Sequence, residues 1–377
     1  MTDSLDERLW DGRRVFLTGH TGFKGSWLSL WLHRLGARLF GYALPPPTHP
    51  NHFEAAQVRS LFTGHTEADV RDVPRLQAAL NAADPEVIFH LAAQALVRTG
   101  YAQPHETFEI NALGTANLLE AVRRRGRGCV VLIVTSDKCY ENCEATREFR
   151  ETDPLGGADP YSASKAAAEL VTAAYRRSFF APERVREHRI KLASVRAGNV
   201  LGGGDWAPDR IAVDAITHLS KGAPIPVRNP DAIRPWQHVL DPLAGYLTLA
   251  GSMLRSDDAA LCSAWNFGPQ HGAEISVRQL VQRFCAAWGG GTWVDQSDPR
   301  QPPEAGALRL NIDKAVSQLR WRPCWRLARA VEETVRWYRA HLAGEDMRTF
   351  GLSQIDAFES DAIGVPTETA HIRAPGR

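Results

Sequence analysis

Three glycines near the N-terminus constrain the fold most strongly, because they lie between an apolar run and a helical stripe. The run RRVFLTG is typical of a buried strand, and SWLSLWLHRLGA places apolar residues along one helical face until Gly36. Gly19, Gly22 and Gly25 form a GxxGxxG turn between the two. Such a turn brings backbone close to a pyrophosphate and points helix N–H groups at the anion. The pattern predicts a dinucleotide site, and a plain glycine-rich turn is the alternative.

Strand and helix patterns alternate through the first half of the chain. Strands that are apolar on both faces are typical of a parallel sheet with helices on both sides. We therefore predict an α/β fold with a doubly wound, Rossmann-like parallel sheet. After the first strand, the predicted strands lie at residues 37–44, 86–93, 129–136 and 190–202, and the helices at 73–82, 105–125 and 159–177.

The alternation of strand and helix patterns becomes less regular after about Gly202, where glycine and proline become frequent. We predict that residues 1–202 form the Rossmann domain with the catalytic residues. Residues 203–345 are predicted to form a smaller mixed α/β substrate lobe that can interleave with it. Residues 346–377 lack clear periodicity and are predicted to form an extended tail. Predicted helices of the lobe lie at 209–221, 239–254, 276–289 and 326–343, with short strands at IPVRN and AWNFG.

Composition narrows the classes of function. With 377 residues, 44% of them hydrophobic, and a formal net charge of +1, the chain lacks the cationic excess that binds nucleic acid or anionic membranes. We find no apolar run long enough for a membrane span and no apolar core of a signal peptide, so we expect a cytoplasmic protein. Cys139 and Cys143 lie close in sequence but lack a second Cys or His pair at ligand spacing, so we predict no metal.

Other residues near the glycine turn bear on the cofactor. An acidic residue usually binds the adenosine ribose about 20 residues further on. Here the second strand ends instead at Leu44 and Pro45, which leaves both NAD and NADP open. The small residues of HLAAQ let backbone pass under a cofactor. Asn111, in INALGT, is either a polar contact that kinks its helix or a satisfied core amide.

A second stretch carries groups suited to proton and hydride transfer. TSDKCYEN places a hydroxyl, a carboxylate and an amine in succession at Ser136, Asp137 and Lys138. Tyr161 and Lys165 follow at i, i+4 spacing, so both side chains lie on one face of a helix. A nearby ammonium lowers the pKa of a phenol by stabilising the phenolate, which predicts that Tyr161 acts as a base. The alternative is an ordinary surface pair.

Longer phrases of the chain resemble the extended short-chain dehydrogenase/reductase family, and within it the nucleotide-sugar 4,6-dehydratases. The resemblance covers roughly residues 10–345 and is closest to the branch that acts on CDP-glucose. The matching phrases are GHTGFKGSWLSLWL (19–32), GYALPPPT (41–48), FHLAAQALVR (89–98), TSDKCYEN (135–142), LGGADPYSASK (155–165), RAGNVLGGGDWAPDR (196–210) and RPWQHVLDPLAGYL (234–247).

The resemblance implies a reaction on a CDP-hexose with NAD as cofactor. Tyr161 takes the proton of the sugar 4-hydroxyl while the C4 hydride passes to NAD, and Lys165 holds the nicotinamide ribose. Ser136 hydrogen-bonds the sugar oxygen, and Asp137 is the acid for loss of the C6 hydroxyl as water. The hydride then returns to C6, so the implied product is a 4-keto-6-deoxy sugar nucleotide.

Lys138 departs from the pattern of the dTDP-glucose enzymes, which carry a glutamate as the C5 base at this position. A lysine serves as a base if its pKa is lowered, and burial beside Lys165 or Lys24 would lower it. Its alternative role is electrostatic, as an ammonium that stabilises the enolate of the keto sugar. The sequence does not separate these two roles.

The resemblance also implies which residues bind the ligands. Arginine suits the diphosphate because its guanidinium offers a forked donor, although a single arginine in this arginine-rich chain is more often a solvated surface residue. The implied cofactor-binding residues are Gly19, Gly22, Phe23, Lys24, Gly25, Asp69, Val70, Leu91, Ala92, Ala93, Thr135, Tyr161 and Lys165, and the implied substrate-binding residues are Gln94, Arg196, Asn199, Arg210 and Arg234.

Two other functions on the same fold are alternatives to the dehydratase. A related sugar-nucleotide epimerase shares Tyr161 and Lys165 but has no need of Asp137 and Lys138 for water loss. A cofactor-sensing binding protein on the same fold typically lacks the Tyr–Lys pair. Helices 105–125 and 159–177 resemble the pair that forms a dimer interface in this family, so we expect a homodimer or higher homo-oligomer.

Overall fold

A computed structural model describes residues 7–141, 147–298 and 308–364. Its strands are β1 Arg14–Thr18, β2 Arg38–Ala43, β3 Phe62–Glu67, β4 Val87–His90, β5 Cys129–Val134, β6 Ile190–Ala197, β7 Val200–Leu201, β8 Ile225–Val227, β9 Ile233–Arg234, β10 Gln237–His238, β11 Ala264–Phe267, β12 Ile275–Ser276 and β13 Trp293–Asp295. At the centre, seven of these strands form a parallel sheet in the order β11-β6-β5-β4-β1-β2-β3.

Helices cover both faces of this sheet, as the apolar strands predict. The remaining short strands form three two-stranded pairs, β7 with β10, β9 with β12 and β8 with β13. The α-helices are α1 Glu7–Trp10, α2 Phe23–Arg34, α3 His52–Ala55, α4 Val73–Ala83, α5 Val97–Ala102, α6 Pro104–Phe108, α7 Gly114–Arg125, α8 Pro160–Ser178, α9 Val185–His188, α10 Ile211–Leu219, α11 Leu240–Arg255, α12 Val277–Trp288, α13 Asp313–Leu319, α14 Leu327–Leu342 and α15 Met347–Gly364.

Successive residues of one strand enter two separate apolar clusters. In β5, Val131 and Ile133 join the cluster that also holds residues of α4 and α7. Val130 and Leu132 point to the other face and join the larger cluster, which contains α2 and α11. This alternation follows from the period of two along a strand, and it explains why β5 is buried along its whole length. The predicted doubly wound α/β fold is therefore confirmed.

The sheet differs from the prediction at both edges. β3, FTGHTE, was not predicted, because its polar residues conceal an edge strand. β11 forms the opposite edge beside β6, although residues 264–267 lie beyond the boundary that we place at 202. The parallel sheet therefore draws on both halves of the chain. The predicted single helix at 105–125 is also interrupted, by a π-helical segment at Glu109–Leu113.

The prediction of an extended tail is wrong for residues 347–364, which form α15. Ile355 and Phe358 are fully buried, and the Phe358 ring packs edge-on against Trp31 with 5.6 Å between ring centroids. An ion pair of 2.6 Å between Arg34 and Asp356 also ties α15 to α2. The inward face includes Gly351 and Gln354, which hides the apolar period in the sequence. Residues 365–377 of the predicted tail lie outside the described part.

Within the described ranges, we find no helix that is both long enough and apolar enough to cross a membrane.

Candidate active site

The glycine turn leaves an open helix N-terminus beside the sheet. Gly22 is the N-cap of α2, and the cap has no side-chain hydrogen bond. A Cβ on Gly19, where φ is +71°, would lie 2.5 Å from the Ala92 backbone nitrogen, so this position requires glycine. A Cβ on Gly22 would meet, among the described residues, just the Gly19 carbonyl oxygen at 3.4 Å. The turn is thus tightly packed against the Ala92 backbone at Gly19 and open at Gly22, as a pyrophosphate site requires.

The loop after β4 forms the neighbouring wall of the cleft. Leu91, Ala92 and Ala93 are half-buried, and the Ala92 N–H donates to the Thr18 hydroxyl over 3.2 Å. The small side chains of Ala92 and Ala93 leave backbone at the surface of the turn, which supports the predicted contact with a cofactor. Phe23 is likewise half-buried at the start of α2.

Asp69 and Val70, which the resemblance implies bind the cofactor, follow β3 at the edge of the sheet. The Asp69 carboxylate pairs with the Arg71 guanidinium at 2.7 Å, and this partner lowers the pKa of Asp69. Arg71 also pairs with Glu106 and Glu109. Val70 is buried in the apolar cluster of that face. The contact of Asp69 with a nucleoside stays a prediction.

Residues 135–140, which we call the reaction stretch, begin where β5 ends. Ser136 caps a short 3₁₀ turn, and its oxygen accepts a hydrogen bond from the Lys138 N–H over 3.2 Å. The Ser136 hydroxyl in turn donates to the Asp137 carboxylate over 3.0 Å. Because the carboxyl ends of parallel strands meet at one edge of a sheet, this turn lies on the same side as the glycine turn.

Helix α8 brings the phenol and the amine to this turn. Its N-cap, Asp159, accepts a hydrogen bond of 3.0 Å from the Ser162 N–H and starts the helix just before Tyr161. Tyr161 and Lys165 are both buried, at 7% and 5% exposure. The Lys165 ammonium lies 3.4 Å from the Val134 carbonyl oxygen at the end of β5. The structure thus brings the two predicted sets of reactive groups together.

The ionisation of Tyr161 differs from the expectation. Burial raises the pKa of Tyr161 to about 12, and interactions with the Ser136 hydroxyl and the Arg210 guanidinium oppose that rise. The prediction that a neighbouring ammonium brings the phenol pKa below its ordinary value is therefore wrong for the structure. Burial and the charge of Lys24 lower the pKa of Lys165 to about 8.

Asp137 has the electrostatics of a general acid. Its carboxyl is buried, and burial raises its pKa above the ordinary value. The ammonium groups of Lys138 and Lys24 and the guanidinium of Arg234 oppose that rise. A carboxyl with a raised pKa keeps its proton closer to neutral pH, which supports its predicted role in water loss.

Lys24 lies closer to the reaction groups than its place in the glycine turn suggests. Burial and the neighbouring Arg210 lower its pKa to about 8, while attraction to Asp137 opposes them. Sequence reasoning assigned Lys24 to the cofactor alone. Because α2 begins where β1 ends and Asp137 follows β5, the sheet brings both residues to one edge. Lys24 therefore lies near Asp137, and its contact with the cofactor stays a prediction.

Three of the predicted substrate-binding residues lie around this cluster. Arg234 is buried and close enough to lower the pKa of Asp137. The Arg210 Nε lies 4.0 Å from the Asp205 carboxylate, and the Arg210 charge acts on Tyr161. Asn199 is half-buried and directly follows Gly198, a residue whose Cβ would lie 3.1 Å from the Asp137 carboxylate.

Arg196, predicted to bind substrate, is placed inside the protein by the structure, and its contact with substrate stays a prediction. Arg196 is 3% exposed, and its guanidinium donates to the Glu169 carboxylate and the Tyr140 hydroxyl, each over 2.8 Å. The motif identifies Arg196 in the sequence but does not show on which face of β6 its side chain lies. The Thr135 hydroxyl, predicted to bind the cofactor, also donates to Glu169.

Gln94 is half-buried and also forms hydrogen bonds within the protein, and its contact with substrate stays a prediction. Its side-chain oxygen accepts from the Leu96 N–H, and its amide donates to the Thr107 hydroxyl over 3.0 Å. Asn111 has features of both alternatives. It is a buried amide that donates to the Gln94 carbonyl and the Ser164 hydroxyl, and it lies in the π-helical segment that interrupts its helix.

Glu169 is the residue that sequence reasoning missed. It is 2% exposed and lies one helical turn beyond Lys165. The spacing of Tyr161, Lys165 and Glu169 puts all three on one helix face, which was a usable signal.

Among the described residues, no three His, Cys, Asp or Glu side chains lie close enough to hold a metal ion. Cys139 is fully buried as a free thiol, whereas Cys143 lies outside the described residues.

Comparison with known proteins gives consistent matches. A family model described as GDP-mannose 4,6 dehydratase matches residues 16–334. The chain is 45% identical over 357 residues to the CDP-glucose 4,6-dehydratase of Salmonella typhimurium, covering 94% of this chain and 99% of that protein. It is 30% identical to a dTDP-glucose 4,6-dehydratase of Streptomyces antibioticus, covering 73% of this chain and 76% of the relative.

The fold also matches solved structures. A dTDP-glucose 4,6-dehydratase of Streptomyces venezuelae, solved with NAD and TYD bound, has a TM-score of 0.75 and 24% identity, covering 89% of this chain and 100% of that one. This likeness supports the Rossmann-like architecture.

Proposed function

The chain belongs to the family described as GDP-mannose 4,6 dehydratase, a family of nucleotide-sugar dehydratases, and from this premise we propose that it converts CDP-D-glucose to CDP-4-keto-6-deoxy-D-glucose and water. The observation that carries the proposal is one buried cluster that holds Ser136 and Asp137 beside Tyr161 and Lys165. An epimerase needs the second pair but not a protonated carboxyl. The 45% identity to a CDP-glucose enzyme supports the choice of nucleotide.

NAD fits the open glycine turn. The uncapped N-terminus of α2 and the free space above Gly22 can accept a pyrophosphate, with Leu91, Ala92 and Ala93 beside it. When bound, NAD accepts the hydride from sugar C4 and later returns it to C6. Leu44 and Pro45, which follow β2, supply neither a carboxylate for the ribose nor a cation for a 2′-phosphate. The preference for NAD over NADP therefore rests on the family.

Tyr161 is the base for the first proton. Its buried phenol must lose a proton to accept one from the sugar 4-hydroxyl. The Arg210 charge stabilises the phenolate, and so does the Ser136 hydroxyl when it donates to Tyr161 in place of Asp137. Lys165 lies one turn along the same face and holds a positive charge there at neutral pH, since its pKa is about 8. Ser136 is placed to hydrogen-bond the same sugar oxygen.

Asp137 supplies the proton for the departing C6 hydroxyl. The 4-ketone acidifies the C5–H bond, so removal of that proton leaves an enolate whose charge needs a nearby cation. After the C6 hydroxyl has left as water and the hydride has added to C6, a proton returns to C5 and completes the product. Lys138 is half-buried and attracted to Asp137, a position that serves either as the C5 base or as the cation beside the enolate. Arg210, Arg234 and Asn199 are proposed to bind the diphosphate and the sugar.

We further propose that the protein is a cytoplasmic homodimer. Leu113 and Leu170, on the two helical segments expected to form the interface, are 58% and 59% exposed in the single chain. Large apolar side chains at this exposure favour a covered surface. A monomeric mass in sedimentation equilibrium would contradict the dimer.

Incubation with CDP-, dTDP-, GDP- and UDP-glucose, followed by mass spectrometry, tests the function. We expect the CDP sugar to lose the mass of one water. Turnover restricted to a nucleotide sugar other than CDP-glucose would contradict the proposed substrate. Conversion of a sugar without a change of mass would identify an epimerase.

A further inference from the structure

A buried ion pair lies directly behind the reaction groups. The Glu169 carboxylate, on α8, accepts hydrogen bonds from the Thr135 hydroxyl, from the Ser194 hydroxyl over 2.7 Å and from the Arg196 guanidinium over 2.8 Å. Both charged side chains are almost completely buried, at 2% for Glu169 and 3% for Arg196. Three strong donors satisfy the carboxylate in place of water, which a buried charge requires.

The ion pair extends to the far end of the reaction stretch. Arg196 donates to the Tyr140 hydroxyl over 2.8 Å, and its guanidinium lies over the Tyr140 ring at 4.8 Å from the centroid. The Tyr140 hydroxyl then donates to the Asn266 side chain over 2.7 Å. Thr135 directly precedes Ser136, and Tyr140 lies two residues after Lys138. Both ends of the stretch are therefore bonded to one pair of charges.

We propose that Glu169 and Arg196 are positioning residues that hold the Ser136–Lys138 segment in register with Tyr161 and Lys165 for the reaction. This inference rests on the proposed function for its chemistry. Buried ion pairs contribute little net stability compared with apolar packing, so the presence of this pair calls for a different explanation. Its bonds join α8, which carries the base, to the strand end that carries the acid.

The contact between Ser136 and Tyr161 makes the register measurable. The Ser136 hydroxyl lowers the pKa of Tyr161, together with Arg210, whereas Asp137 and Asp159 raise it. If the segment shifts, Tyr161 loses the Ser136 contact and ionises at higher pH. Because the phenolate is the active base, kcat/KM rises with pH as Tyr161 ionises. This rising limb of the pH profile then moves to higher pH.

Thr135→Val tests the proposal without breaking the ion pair, whose disruption could unfold the chain. Valine has the size of threonine but lacks the hydroxyl that reaches Glu169. We expect kcat to fall about tenfold to hundredfold, as small misplacements of reacting groups do. KM is expected to stay within about twofold of the wild-type value. The rising limb of kcat/KM, which reports the ionisation of Tyr161, is expected to move to higher pH.

The chain offers a matched control on the same helix. Thr172 is fully buried, and its hydroxyl donates to the Ala168 carbonyl oxygen over 2.7 Å, away from the reaction stretch. We expect Thr172→Val to keep the kcat and the pH profile of the wild type, and Thr135→Ser to restore both. An unchanged profile in Thr135→Val, or the same loss in both valine variants, would overturn the proposal.

Crystal structures of the two valine variants provide a readout that needs no substrate. We expect the Ser136 side chain to move away from Tyr161 in Thr135→Val and to keep its place in Thr172→Val. Unchanged positions in both would overturn the positioning role. If the wild type acts on no nucleotide sugar, the proposed function fails, while these structures still decide whether the ion pair positions the segment.

Discussion

Lys24 and Asp137 shift each other's pKa toward the charged form, although one belongs to the glycine turn and the other follows β5. Burial acts in the opposite direction on both groups. The pair therefore connects the cofactor side of the cleft with the acid for water loss. A reaction that alternates hydride transfer and elimination needs both sides within one cleft.

Removal of the Lys24 ammonium is expected to change the ionisation of Asp137. In Lys24→Met the carboxyl loses a neighbouring cation, so its pKa rises further. Because the protonated carboxyl is the active acid, its contribution to kcat is lost as pH rises through that pKa. The falling limb that belongs to Asp137 therefore moves to higher pH, measured as kcat for water loss against pH. A limb that stays in place, or moves to lower pH, would contradict the coupling.

Asp137→Asn separates the two halves of the proposed reaction. The amide keeps the shape of the side chain but has no acidic proton, so water loss is expected to slow by about 100-fold or more. Oxidation at C4 does not use this proton and is expected to persist. Single-turnover absorbance of the reduced cofactor would report the first half, and product mass the second. Equal loss of both halves would contradict an acid role confined to elimination.

Lys138→Ala is expected to slow dehydration by about 100-fold or more, whether the lysine acts as a base or stabilises charge. Lys138→Arg distinguishes the two roles, because arginine stays charged and cannot accept a proton. Activity retained by arginine indicates charge stabilisation, and activity lost in both variants indicates the base. Lys221→Ala, at an exposed turn, is the control. Near wild-type dehydration by Lys138→Ala would exclude both roles.

Gly22→Ala is expected to weaken NAD binding without disturbing the fold. Its Cβ would lie 3.4 Å from the Gly19 carbonyl oxygen, a distance that the turn can accommodate, but it would occupy the space above the turn. Gly19→Ala is expected to reduce stability as well, because its Cβ would lie 2.5 Å from the Ala92 nitrogen. Thermal unfolding with and without NAD distinguishes the variants. Normal NAD binding by Gly22→Ala would contradict the proposed site.

Asp241 provides a test of stability against pH. Burial raises the pKa of Asp241 to about 7, although its carboxylate accepts hydrogen bonds from the Cys324 and Trp325 N–H groups. The folded state therefore binds this proton more tightly than the unfolded state, so the contribution of Asp241 to stability falls as pH rises from about 4 to about 7.

Asp241→Asn removes that titration, so its Tm relative to the wild type is expected to increase between pH 4 and pH 8. The exposed Asp231→Asn, in an ion pair of 2.9 Å with Arg278, is the control and should show no such trend. A Tm difference for Asp241→Asn that does not vary with pH would contradict the buried titration.

The parts of the fold that the sequence predicted are those with a strong local signal. β5 is apolar throughout, and the helices at α11, α12 and α14 have regular periods, so their positions follow from the chain. β3 and α15 were not predicted from the sequence, because polar residues and glycine interrupt their apolar patterns. Their stability comes from neighbours that are distant in sequence.

The same distinction applies to the site. Tyr161 and Lys165 lie one turn apart, so their shared face follows from helical geometry. The inward orientation of Arg196 depends on how β6 packs against α8, and no motif states that. Lys24 approaches Asp137 because two strand ends meet at one edge of the sheet. Contacts of this kind can be recognised only from the three-dimensional arrangement of the strands and helices, not from the sequence.

The most direct measurement follows an isotope through the reaction. CDP-D-glucose labelled with deuterium at C4 is incubated with the protein, and the product is examined by mass spectrometry and NMR. The proposed mechanism predicts a 4-keto-6-deoxy product that has lost water and carries the deuterium at C6. Deuterium that remains at C4, in a product of unchanged mass, would contradict it.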